Sequence, residues 1–479
     1  MEENIDTKQF DFGMIGLGVM GSNLLLNMAD HGFKVIGFDL NREKTIQFEK
    51  AAREGTIVKG VNTLAEMVSN LKKPAKLMML VPAGKPVDDV IRDLLPLVEK
   101  GDIIIDGGNS HYIDTQRRIL SLQDKGLHFM GIGISGGEQG ARLGPSIMPG
   151  GDMDAYEEIA PLLMSVAAKV DDKSCVAYLG KGAAGHYVKM VHNGIEYAIM
   201  QLISECYDLM HNGLGISNAE LSEIFSKWNT GEMQSFLMEI TAIVFSKKDE
   251  ASDDYLIDRI LDRAGAKGTG KWTSEEGLDL PMPIPTIDIA VMMRNLSSLK
   301  TERIEASNVY GTTLNKIDTD KETFLTLLHD ALYLSSILSY AQGLAMLTTA
   351  SKELQMNIPM NEVVQVWKGG CIIRSEALNI FAEVFKTNPG LQNLLLDLKI
   401  ASIVKAKLPA LQTVVQEAAK ANYPAAGMMA SLNYLNAYTR NLLPTNLIQA
   451  QRDLFGAHTY QRTDKEGFFH TNWETLAKP

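Results

Sequence analysis

From Asp11 to about Val170 short apolar runs alternate with longer stretches of helical periodicity, the pattern of strands buried on both faces and joined by crossover helices. Strands are predicted at FGMIG (12–16), KVIGFD (34–39), KLMMLV (76–81), DIIID (102–106) and LHFMGI (127–132), with helices between them. Beyond Gly185 the strand signals stop. The stretches 186–210 (HYVKMVHNGIEYAIMQLISECYDLM) and 323–354 repeat apolar residues at helical spacing, so this region is expected to be helical. From Leu442 to Pro479 the chain becomes rich in Pro, Gln, His and aromatic residues. That tail is too short for a domain and too aromatic to lie in water, so it is expected to pack on something. The pattern therefore predicts an α/β domain at 1–182, a large all-α domain at 183–441 and a C-terminal tail at 442–479. There is no solenoid-length repeat.

Composition narrows the function. Lys and Arg number 46 against 58 Asp and Glu, a formal charge of -12 over 479 residues, and no basic stripe offers a nucleic-acid surface. An anionic small molecule remains compatible if a local pocket reverses the field. No N-terminal segment resembles a signal peptide and no apolar run is long enough to span a bilayer, so the expectation is a cytoplasmic protein with no membrane partner. Cys175, Cys206 and Cys371 stand far apart, without CxxC or zinc-spaced histidines, so neither a disulfide framework nor a metal is expected.

Gly16-Leu17-Gly18-Val19-Met20-Gly21 follows the first predicted strand and opens an apolar helix. In that context GxGxxG is a dinucleotide fingerprint, and the N-terminal domain reads as Rossmann-like. Asp39 stands 18 residues past Gly21, at the end of the second predicted strand. An acidic side chain there accepts hydrogen bonds from the adenine ribose and repels a 2′-phosphate. Leu40 adds no counter-charge and only Arg42 lies near, so NAD is favoured and NADP is the second possibility. The alternative role for Asp39 is to cap a helix starting near Arg42.

On a helix starting near residue 186, Lys189, His192, Asn193, Glu196 and Tyr197 fall within one arc of roughly 140°. A Lys and a Glu two turns apart on one face can act as base and acid on two ends of one substrate. The plain alternative is a solvated stripe. Two loops at strand ends, Asp106-Gly107-Gly108-Asn109-Ser110 and Ser135-Gly136-Gly137, lie where ligands bind in parallel sheets, although Asn109 or Ser110 also suits an N-cap. Lys267, Lys271, Arg294, Arg452 and His458 are the candidate cations for an anionic substrate.

The strings GHYVKMVHNGIEY, DIIIDGGNS, SGGEQGARLGPSIMPGG, KGTGKWTS, GCIIRS, NPGLQNLLLD and NLIQAQRDLFGAHTY resemble the decarboxylating 6-phosphogluconate dehydrogenase family, over essentially the whole chain. The resemblance implies a homodimer whose C-terminal tail enters the partner subunit. It implies Lys189 as general base and Glu196 as general acid. It further implies substrate contacts by Asn109, Ser135, Gly136, Gly137, His192, Asn193, Tyr197, Lys267 and Arg294, and by Arg452 and His458 from the other subunit. Coenzyme contacts would come from Gly16 to Gly21, Asp39, Leu40, Asn41, Val81, Pro82, Ala83 and Asn109. NADP-specific members carry Asn-Arg followed by Ser or Thr where this chain has Asp39-Leu40-Asn41, and Lys is commoner than Pro82 in the later loop. Both departures remove positive charge. Two other readings remain: a β-hydroxyacid dehydrogenase of the 3-hydroxyisobutyrate type, in which the tail would be surplus, and a non-catalytic NAD-binding scaffold.

Overall fold

The computed structural model describes residues 9–311 and 313–473. Seven strands form the main sheet: β1 (Phe12–Ile15), β2 (Val35–Phe38), β3 (Val58–Val61), β4 (Lys76–Met79), β5 (Ile103–Asp106), β6 (His128–Ser135) and β7 (Ser146–Gly150). Helices α1 (Val19–Asp30), α2 (Arg42–Lys50), α3 (Leu64–Ser69), α4 (Lys85–Leu94), α5 (Tyr112–Gln123), α6 (Gly137–Leu143) and α7 (Met153–Val166) connect them or follow. The strand order is β3-β2-β1-β4-β5-β6-β7. The first six strands are parallel and β7 runs antiparallel to β6. Residues of one strand alternate between two cores. Met78, Ile103 and Ile105 join the layer under α1 and α7, whereas Leu77, Met79 and Ile104 join the layer that includes Val87 and Ile91 of α4. Burial on both faces is why these strands read as continuous apolar runs.

The helical part comprises α8 (Ala184–Asp208), α9 (Asn218–Trp228), α10 (Phe236–Ser246), α11 (Thr269–Asp279), α12 (Pro285–Ser298), α13 (Lys300–Tyr310), α14 (Lys321–Glu353), α15 (Met360–Trp367), α16 (Ala377–Thr387), α17 (Leu398–Lys420) and α18 (Ala426–Tyr438). α8 lies directly on β6 and β7. A Cβ on Gly133 would stand 2.4 Å from Lys189 Cβ, and one on Gly185 would stand 2.3 Å from both Gly131 O and Met148 O. Glycine at those positions lets helix backbone touch strand backbone, and so sets Lys189 against the C-terminal end of the sheet.

Residues up to Ser431 form one compact unit and those from Leu432 a second, the division falling inside α18. Within the second unit α19 (Thr445–Gly456) is followed by a bridge between Tyr460 and Phe469. Its hub is the buried Asp453, whose carboxylate accepts from Thr459 N (3.0 Å), His470 Nδ1 (2.9 Å), Thr471 N (3.1 Å) and Trp473 Nε1 (2.9 Å). Burial pushes this carboxyl up, but the bonds from His470, Trp473 and Thr471 outweigh it and hold it at about 2.

Four expectations need correction. Two strands of the main sheet escaped the sequence pattern. β3 reads VKGV with only Val61 buried, so no apolar run marks it, and β7 reads SIMPG, where Pro and Gly argue against a strand. β6 runs on to Ser135 rather than ending at Ile132. The cap of α2 is Asn41, whose Oδ1 accepts from Glu43 N, and not Asp39. The cap of α5 is His111, so neither Asn109 nor Ser110 has that task. Among the described residues no helix is long and apolar enough to cross a membrane.

Candidate active site

The loop from Gly16 to Gly21 joins β1 to α1 where the strand order reverses, between β1 and β4, the place where open α/β sheets bind ligands. A Cβ on Gly21 would lie 2.0 Å from Gly16 O, so helix and turn touch there. A Cβ on Gly18 would meet nothing within 4 Å. Open space therefore lies over the N-terminus of α1, which has no side-chain cap, and the amides and dipole of its first turn face that space. A pyrophosphate fits this cradle. Leu17 is buried, Met20 half-buried and Val19 exposed.

Asp39 is fixed by backbone. Its Oδ2 accepts from Leu17 N and its Oδ1 from Asn41 N, both at 2.8 Å, while Lys44 Nζ stands 3.5 Å from Oδ2. Oδ1 keeps a lone pair for a ribose hydroxyl, whereas Oδ2 is shared with Lys44. Leu40 is 95% exposed beside it. Val81, Pro82 and Ala83 leave β4 on the same edge, with Pro82 and Ala83 exposed.

On α8 the predicted polar arc is nearly closed to water: Lys189, His192, Asn193 and Tyr197 are buried, and the Glu196 side chain is 20% exposed. Asn193 Nδ2 donates to Thr269 Oγ1 (3.1 Å), which leaves its Oδ1 facing His192 Nδ1 at 3.0 Å. That acceptor makes Nδ1 the protonated nitrogen, so Nε2 accepts from the hydroxyl of Ser135, 3.4 Å away at the end of β6. Lys189 Nζ lies 3.4 Å from the same Nδ1 and can share its hydrogen only as a neutral amine.

The electrostatics agree. Burial pushes Lys189 below its usual value, against the pull of Glu196 and Cys371. Burial pushes Glu196 up, against Lys189 and Arg294. Burial and Lys189 hold His192 well below the usual imidazole range, so its 3.9 Å approach to Glu196 is not an ion pair. Burial thus shifts the pair toward a neutral amine and a protonated carboxyl, the states a base and an acid need before reaction. Arg294 stacks on Tyr197 at 3.6 Å and donates to Gly265 O at 2.7 Å, bringing a cation to the Glu196 end.

Two family models match the chain: the NAD binding domain of 6-phosphogluconate dehydrogenase over residues 11–180, and the 6-phosphogluconate dehydrogenase C-terminal domain over residues 185–473. The chain belongs to the 6-phosphogluconate dehydrogenase family. It is 48% identical to the decarboxylating 6-phosphogluconate dehydrogenase of Lactococcus lactis, over 98% of this chain and 99% of that one. It is also 48% identical to the NADP(+)-dependent decarboxylating enzyme of Bacillus subtilis, over 96% and 98%. The Plasmodium falciparum 6-phosphogluconate dehydrogenase, solved apo, with NADP+ and with 6-phosphogluconate, superposes with a TM-score of 0.94 at 45% identity, covering 97% of this chain and 100% of that one.

The fold joins Ser135, Lys189, His192 and Asn193 by hydrogen bonds, sets Glu196 3.9 Å from His192, and stacks Arg294 on Tyr197 in the next position of α8. Gly136 and Gly137 follow Ser135 and open α6. Lys267 is exposed two residues before α11, and Asn109 is exposed after β5. Arg452 and His458 belong to the second unit, where Arg452 donates to Gln449 and the His458 ring packs edge-on against Phe455. Three neighbours were not foreseen. Thr269 orients Asn193, Trp367 packs edge-on against His192 with centroids 5.8 Å apart, and the buried Cys371, held protonated by burial at about 12, is near enough to act on Lys189. KGTGKWTS and GCIIRS carried two of them in plain view, but only the fold links them to α8. Glu232, His329 and Asp330 also gather ligand atoms, and there Lys407 already sits 2.7 Å from Glu232 and 2.8 Å from Asp330.

Proposed function

We propose that this chain oxidatively decarboxylates 6-phospho-D-gluconate to D-ribulose 5-phosphate and CO2, with NAD preferred over NADP. The observation that carries the reading is the buried Lys189–Glu196 pair on α8, shifted in opposite directions beside Ser135. Neutral Lys189 accepts the C3 hydroxyl proton. When bound, the coenzyme supplies the acceptor for the C3 hydride. The resulting β-keto acid loses CO2 because its carbonyl takes up the electrons, and Lys189, now an ammonium, stabilises the enolate oxygen in a largely buried site. Glu196 then gives its proton to C1 of the enediol. Ser135, His192 and Asn193 form a neutral hydrogen-bonding wall suited to hydroxyl and carboxylate oxygens. Lys267 and Arg294, with Arg452 and His458 of a partner subunit, are the cations proposed for the phosphate end.

The preference for NAD rests on Asp39, held facing the cradle by two backbone amides, and on Leu40, which offers a 2′-phosphate nothing. A homodimer with a shared site is supported by the tail, where Phe455 and Phe468 are 70% and 75% exposed and would be covered by a partner. We assign 1–182 to the coenzyme, 183–441 to substrate and dimerisation, and 442–479 to the reach across. A cytoplasmic setting accords with three buried free thiols. Parallel assays of NADH and NADPH formation from 6-phosphogluconate test the reading. Activity only on phosphate-free β-hydroxyacids, or none with an intact coenzyme-binding signal, refutes it.

A further inference from the structure

Arg118 of α5 is 2% exposed, an unusual place for a guanidinium. Its Nε donates to Asp88 Oδ1 at 2.8 Å, and its Nη2 donates to Asp88 Oδ2 at 3.2 Å and to Gly84 O at 3.0 Å. Gly84 ends the loop Val81-Pro82-Ala83, and Asp88 lies in the first turn of α4 that follows. The remaining nitrogen, Nη1, stands 3.6 Å from Asp106 Oδ2 and has no hydrogen-bond partner among the described residues.

Asp106 is fully buried at the end of β5 and shapes the loop that carries Asn109. Its Oδ1 accepts from Gly108 N at 3.0 Å and its Oδ2 from Ser110 Oγ at 2.6 Å. Its backbone carbonyl accepts from His186 Nε2 at 3.1 Å, and His186 sits three residues before Lys189 on α8. The two loops also touch directly, since a Cβ on Gly108 would lie 3.2 Å from Val81 O. Arg117 adds a second, exposed cation to Asp88 and to Asp114. The buried charge is thus shared between the loop assigned to the coenzyme and the loop assigned to both ligands.

We propose that Arg118 is a positioning residue for hydride transfer, a buried cation that holds the loop after β4 and the loop after β5 in one fixed relation. The inference rests on the reaction proposed above. It predicts that disturbing Arg118 spoils the approach of C3 to the coenzyme far more than it slows decarboxylation, because Lys189, Glu196 and Ser135 belong to other elements and only Asn109 and the His186 bond to Asp106 are shared.

The test compares two half-reactions in Arg118→Lys and Asp88→Asn. The second variant keeps Arg118 and its approach to Asp106 but removes its charged anchor on α4. Oxidation is followed as reduced coenzyme formed from 6-phosphogluconate and from its C3-deuterated form; decarboxylation is followed as CO2 released from the ready-made 3-keto acid. Oxidation should fall about tenfold to a hundredfold, with a larger isotope effect, while decarboxylation stays within about twofold, as a misplacement on the order of 1 Å acts on the bimolecular encounter alone. A merely structural role would lower both together with the unfolding temperature. Equal losses in the two half-reactions, or unchanged oxidation in both variants, overturn the proposal. If Arg118→Lys does not fold, Asp88→Asn, altered at a 38% exposed side chain, decides alone. A wild-type chain that forms no reduced coenzyme refutes the reaction itself and is recognised before any variant is compared.

Discussion

Replacing Asp39 and Leu40 should move the enzyme from NAD toward NADP by a calculable amount. Unit charges 4 Å apart interact by about 1 kcal/mol in water and about 4 kcal/mol at an effective dielectric constant of roughly 20. The Asp39 side chain is 11% exposed but Leu40 beside it is 95% exposed, so a 2′-phosphate there stays in water and the lower figure sets the minimum. A nearly dianionic 2′-phosphate doubles it to about 2 kcal/mol. The missing Arg–phosphate bond is worth about 1.5–3 kcal/mol. Together these amount to about 3.5–5 kcal/mol, roughly a few hundredfold to a few thousandfold in favour of NAD. Asp39→Asn alone should recover about thirtyfold for NADP, and Leu40→Arg the remainder. The single variant also carries a cost common to both coenzymes. The carboxylate accepts from Leu17 N and Asn41 N together, and an amide has only one acceptor oxygen, so one bond worth about 0.5–1.5 kcal/mol is lost. The assay is kcat/KM for each coenzyme at saturating 6-phosphogluconate over a series of ionic strengths, since the repulsive part must shrink as salt rises. A wild-type enzyme that prefers NADP, or a ratio that Asp39→Asn does not move, refutes the reasoning.

Four further outcomes are expected. Activity needs Lys189 neutral and Glu196 protonated, so kcat/KM should be bell-shaped in pH, with the Lys189 limb displaced below its usual value and the Glu196 limb above its own. Lys189→Met should abolish both half-reactions, whereas Glu196→Gln should remove the alkaline limb and slow solvent-hydrogen incorporation at C1; wild-type incorporation in Glu196→Gln would exclude it as the acid. Arg452→Ala and Lys189→Met chains, each inactive alone, should regain activity when co-expressed, because one site of a heterodimer then carries neither lesion; inactive heterodimers would place the tail on its own subunit. Glu205 is buried, with its carboxylate accepting from Gly427 N (2.6 Å) and Met428 N (3.0 Å) at the start of α18, and burial raises it to about 7. A raised carboxyl binds its proton in the folded state at pH values where the unfolded state has lost it, so its contribution falls as pH climbs from the ordinary carboxylate range to about 7. The loss approaches about 3 kcal/mol, and Glu205→Gln should flatten thermal stability across that window; parallel melting curves for the two proteins would contradict this.

Much of the architecture was readable from local pattern. GxGxxG between an apolar strand and an apolar helix, the doubly buried runs of β1, β4 and β5, and the helical repeats of α8 and α14 are properties of neighbouring residues, and periodicity reports which faces a segment must bury. The polar arc of α8 was legible for the same reason, because one helix places Lys189, His192, Asn193 and Glu196 by rotation alone. β3 and β7 were not, since neither carries an apolar run and each is a strand only through pairing with β2 or β6.

Chemistry depended on contacts far apart along the chain. Nothing near Lys189 in sequence says that Gly133 lets it lie against β6, or that burial there lowers its basicity. Asp39 keeps a second reading as a helix cap until Leu17 N, 22 residues away, takes its oxygen. Arg118 looks like any surface arginine until Gly84, Asp88 and Asp106 close around it, and Asp453 is an ordinary helical acid until the tail folds four donors onto it. A titration or a hydrogen bond is set by everything within a few ångströms, and in a folded chain most of that comes from elsewhere in the sequence; periodicity can name the residues that face inward, and only packing tells what they face.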